Sequence, residues 1–231
     1  MKAIRIHTVA VAAVALLASA PAAPAQVASP EILNVVELRQ LVMSAEPGDH
    51  ARLSAHFGAL AARYADDAAR HTAMSRAFGH NPNRAGAVAA GAHCARLATL
   101  GTQSAATLRE LAEHHERLAV GTASTVPAAA ARFEDGEGAP APTDQELRAL
   151  AGRARTPADH RALAEYFMTV AEGHTMEAEH HTAMAQAYRG NANRRGGDPA
   201  VHCDRLVKLA REAAKEALAA ETVHTQLATI G

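Results

Sequence analysis

From His50 onward, inward-type residues recur at alternating steps of three and four. His50, Leu53, Phe57, Leu60, Tyr64, Asp67, His71, Met74 and Phe78 form one such line; His160, Leu163, Phe167, Val170, His174, Glu177, His181, Met184 and Tyr188 form another. This spacing predicts a long helix that buries one face. Each line ends in a breaker-rich stretch, "NPNRAG" or "NANRRGGDP", beyond which a second seam begins. That seam comprises His93, Leu97, Leu100, Ser104, Leu108, Leu111, His115 and Leu118 in the first case. In the second it comprises His202, Leu206, Leu209, Ala213, Ala217, Ala220, His224 and Leu227. Two helical hairpins follow, the second opened by a capping Thr156 and a first-turn Pro157.

The hairpins are copies of one unit. The stretch from Asp49 aligns without a gap on the stretch from Asp159, an offset of 110, and "HCARL" at His93 matches "HCDRL" at His202 after a one-residue deletion. "ELRQL" at Glu37 and "ELRAL" at Glu146 repeat as well, predicting a short helix before each hairpin. The expected fold is therefore all-α, two tandem-repeat helical hairpins packed as a four-helix bundle, each preceded by a short helix. The first unit spans residues 26–120 and the second 143–231. Between them, 121–142 is rich in Ala, Pro, Gly and Thr and reads as a flexible linker.

Residues 1–25 have the layout of an export signal: Lys2 and Arg5, an apolar run from Thr8 to Ala20, and Ala23-Pro24-Ala25 before an expected cut at Gln26. A periplasmic or secreted protein is expected, with no stable membrane insertion after cleavage, since no other run is long and apolar enough to span. Cleavage would leave 21 basic against 24 acidic residues. No basic patch with interleaved aromatics appears, which argues against a nucleic-acid partner. There is no Trp and aromatics are 3%, yet 13 of the 14 histidines lie beyond the signal.

Histidine is thus the feature to explain, because polar groups on a buried seam are costly unless satisfied. Facing residues of an antiparallel hairpin have a constant sum of numbers. That sum is 164 for His71 with His93 and 165 for His50 with His115; it is 383 for His181 with His202 and 384 for His160 with His224. One register therefore levels both pairs in each unit. With the hairpin loops at one end of the bundle, His71, His93, His181 and His202 would form a single metal-binding layer. Met74, Met184, Asp67 and Glu177 lie a turn away and could tune it, and His50, His115, His160 and His224 would form a second layer. Imidazole with carboxylate, thioether or thiolate suits zinc or copper.

Cys94 and Cys203 sit at equivalent positions and are expected to form a disulfide between the hairpins, with thiolate ligation of a metal as the second reading and free thiols as the third. His56, His80, His114 and His180 have no histidine counterpart and are expected on exposed faces; His174 is inward but replaces Tyr64. The scarcity of aromatics disfavours a haem, although a non-covalent haem or redox protein stands as a third reading. No nucleophile, phosphate-loop or dinucleotide motif is present. The expected function is binding, storage or transfer of a copper or zinc ion rather than catalysis. The alternative is a structural or interaction bundle with satisfied core histidines.

Overall fold

A computed structural model describes residues 32–44, 46–83, 86–119, 142–191 and 198–230; the expected signal segment and nearly all of the linker lie outside them. Among these described residues six helices follow in order: α1 (Val35–Ser44), α2 (Pro47–His80), α3 (Ala87–Ala119), α4 (Asp144–Arg153), α5 (Pro157–Gly190) and α6 (Pro199–Ile230). Their starts obey local chemistry. Thr143 and Thr156 each close a capping box, with Glu146 and Asp159 as the reciprocal partners. Proline opens α2, α5 and α6, where a missing N–H costs nothing.

The predicted hairpins form, α2 against α3 and α5 against α6. Within the first, the backbones approach closely: a Cβ added at Gly101 would lie 3.2 Å from the Tyr64 carbonyl oxygen. Most apolar seam residues are buried, including Leu53, Phe57, Met74, Leu108, Leu163, Phe167 and Leu206, all at most 2% exposed. Burial of each large apolar side chain contributes about 1.5–3 kcal/mol.

The hairpins pack antiparallel, with their loops at opposite ends. His93 and Arg96, near the start of α3, reach Glu216 deep in α6, while His202 and Arg205, near the start of α6, reach Glu110 deep in α3. Gly86, in the first loop, has φ 75° and packs against Val223 and Leu227 near the end of α6. Only glycine takes that backbone conformation without strain. The expectation of loops sharing one end is therefore corrected.

Each short helix bridges α2 and α5. Asn81 at the first loop donates from Nδ2 to the carbonyls of Ala151 and Ala154 beside α4, at 3.0 and 3.3 Å. Asn191 at the second loop donates to the Val42 carbonyl of α1. Each hairpin loop is thus tied to the short helix that precedes the other hairpin. The apolar interior divides into two clusters, one around Phe57 and Met184 and one around Phe167 and Met74. No helix among the described residues is long and apolar enough to cross a membrane.

Candidate functional site

The start of each hairpin's first helix faces the end of its second, and there two imidazoles meet. Nδ1 of His50 lies 3.0 Å from Nδ1 of His115, and Nδ1 of His160 lies 3.2 Å from Nδ1 of His224. The rings stack within each pair, at centroid separations of 5.2 and 5.4 Å. Aromatic walls complete both sites. Phe57 and Tyr188 stack on His115, while Phe167 and Phe78 stack on His224.

Burial sets the charge of these rings. Desolvation, reinforced by neighbouring imidazoles, pushes His115 down to about 2 and His224 down to about 4. Burial also lowers His50 and His160, against the opposing pull of Asp49 and Asp159. At neutral pH each pair is therefore neutral, and a 3 Å approach means that one Nδ1–H donates to the lone pair of the other. Tyr188 Oη lies 2.7 Å from His115 Nε2. In the second pair His224 Nε2 is buried with no hydrogen-bond partner among the described residues, and Phe78 stands where the first pair has Tyr188.

The other predicted ligands go elsewhere. Antiparallel packing puts His71 and His93 towards one end and His181 and His202 towards the other, so the four do not form a layer. His71 packs beside Tyr166 and Phe167, and His181 beside His180. His93 and His202 each cross to the opposite hairpin. His93 stands close enough to His224 for its charge to lower it, and His202 does the same to His114, which in turn neighbours His50. Each end of the bundle thus gathers histidines from both repeats. Their Nδ1 atoms meet carboxylates, His93 at 2.9 Å from Glu216 and His202 at 3.4 Å from Glu110. Among the described residues, no three His, Cys, Asp or Glu side chains are arranged to hold a metal ion.

Met74 and Met184 are fully packed in the two apolar clusters. Asp67 pairs with Arg70 at 2.6 Å, and Arg70 continues to Asp144 of α4. Glu177 accepts from Tyr64 at 2.6 Å and from Arg63 at 3.3 Å, and contacts His174 at 2.9 Å. Burial alone would raise its pKa, but these partners more than offset it and leave the carboxyl lowered. Both carboxylates therefore have their charge balanced within the bundle.

The two cysteines are unbonded and buried, one in each apolar cluster. On α6, Cys203 lies 13 residues from Glu216, which faces His93; the thiols are thus separated by roughly 20 Å at the helical rise. A bridge needs Cα atoms within about 7 Å, so the disulfide expectation is corrected: equivalent positions in antiparallel hairpins fall at opposite ends. Burial pushes both thiols up to about 12, which disfavours the thiolate that ligation requires.

Seam reasoning missed His56 and His114, which are buried at 0% and 8% exposure, and His180, which is half-buried; His80 is exposed as expected. The single-stripe pattern describes only the contact within a hairpin. His56 is covered by the chain entering α1, whose Leu33 amide donates to its Nδ1 at 3.0 Å. Comparison with family models, curated proteins and solved structures finds no match.

Proposed function

We propose that this chain is an exported helical bundle that binds a transition-metal ion, copper(I) before zinc, at the two histidine pairs. The observation that carries this reading is the recurrence of facing, neutral Nδ1 atoms at equivalent places in both hairpins, 3.0 and 3.2 Å apart. Copper(I) accepts two imidazoles in a near-linear arrangement. With metal–nitrogen bonds of about 2 Å, the two nitrogens would need to part to roughly 4 Å, a small ring movement. Zinc asks for three or four protein ligands, and a pair supplies two. The aromatic walls give each pair an apolar flank that suits a soft, weakly hydrated cation. With no nucleophile or substrate-binding motif in the sequence, binding, storage or transfer fits better than catalysis.

A structural bundle is the second reading. The same 3 Å contact satisfies both rings by sharing one proton, with no metal needed. An anaerobic titration of the purified chain with copper(I) against a chromophoric chelator separates the two. Two ions should bind per chain, with His50→Ala and His160→Ala each removing one. Failure to compete for copper, or binding unaffected by both substitutions, would leave the structural reading.

A further inference from the structure

A cavity of about 680 Å³ opens between α2, α5 and residues 32–35, with neither histidine pair in its lining. Its polar wall holds His56, His180 and His181, and its apolar wall includes Leu33, Leu60 and Met176. His56 Nε2, His180 Nε2 and His181 Nδ1 are all buried with no hydrogen-bond partner among the described residues. His56 is 0% and His181 3% exposed, and both His180 and His181 stand close enough to His56 to lower its proton affinity.

One hydrogen bond fixes the chemistry of this wall. The Leu33 amide donates to His56 Nδ1 at 3.0 Å, so that nitrogen carries the lone pair and the neutral ring holds its proton on Nε2. His56 therefore presents an N–H donor that lacks an acceptor. Ligating a metal through Nε2 would require the proton to move to Nδ1, leaving the Leu33 amide unpaired in a buried place. Glu177 in the same wall is already engaged by Tyr64 and Arg63, and the Arg63 guanidinium offsets its charge. What the cavity lacks is an oxygen acceptor with an apolar body behind it.

We infer that the cavity binds an amphiphilic monocarboxylate. Its oxygens accept from His56 Nε2–H and from the His180 and His181 rings, while its hydrocarbon lies on Leu33, Leu60 and Met176. This inference uses none of the residues of the histidine pairs and stands apart from the copper reading.

The test is calorimetry of the full chain with octanoate as probe and octylamine as the cationic control. Octanoate should bind once per chain and octylamine should not. His56→Asn keeps an acceptor for the Leu33 amide but removes the Nε2–H donor, and should weaken octanoate by about tenfold or more. As a check that does not depend on the variant's folding, octanoate should shift the His56 Nε2–H proton resonance of the unsubstituted chain. No octanoate binding, equal binding of octylamine, unchanged affinity in a folded His56→Asn chain, or an unmoved resonance would each overturn the inference.

Discussion

Tyr188 and Phe78 occupy equivalent places in the repeat and differ by one hydroxyl. Across their 3.0 Å contact, His115 and His50 share a proton between their Nδ1 atoms. To bind a metal, both atoms must present lone pairs, so in the His115 ring a proton must reside on Nε2. Tyr188 Oη, 2.7 Å away, can accept that N–H; Phe78 offers His224 nothing comparable. Outer partners of this kind are worth roughly 10–100-fold in metal affinity. A stepwise copper(I) titration should therefore show the His50 and His115 site filling first, and Tyr188→Phe should bring the two affinities together. Equal affinities in the unsubstituted chain would refute this role for the hydroxyl.

At the scale of the helices, much was legible. Steps of three and four marked α2, α3, α5 and α6, and the constant residue sums put His50 against His115 and His160 against His224, where the structure has them. Those contacts arise within a hairpin, where a short loop fixes direction and register. The direction of one hairpin against the other was not legible, because a linker of about twenty residues allows either. That single degree of freedom scattered His71, His181, His93 and His202 and separated Cys94 from Cys203. Nor could one apolar stripe reveal a second buried face. The long helices α3 and α6 also bury small residues, among them Ala98, Ala105, Ala210 and Ala214. Small residues give only a faint periodic signal, and His56 is covered by a segment distant in sequence.

Across the whole molecule, buried histidines couple folding to pH. Burial, together with neighbouring charges, pushes His56 down to about 3, His71, His181 and His224 to about 4, and His115 to about 2. Each folded value lies below the unfolded 6.5. The unfolded chain therefore takes up protons first, and stability is complete above pH 6.5 and falls as pH drops towards the folded values. Each histidine withdraws about 1.4 kcal/mol per pH unit below 6.5. Five together should exhaust a typical domain stability of about 5–15 kcal/mol within about one to two units. Helical circular dichroism should thus collapse between about pH 6 and pH 4; full helicity retained at pH 4 would contradict the burial of these rings as neutral groups. Copper bound at the pairs should move that collapse to lower pH, since it binds only the deprotonated rings. The most direct test of the central claim is X-ray absorption on the copper(I)-loaded chain. Two nitrogen neighbours should appear at about 2 Å with the multiple scattering of imidazole. A sulfur shell would place copper on the methionines or cysteines instead, and four light neighbours would place it at a site other than the paired histidines.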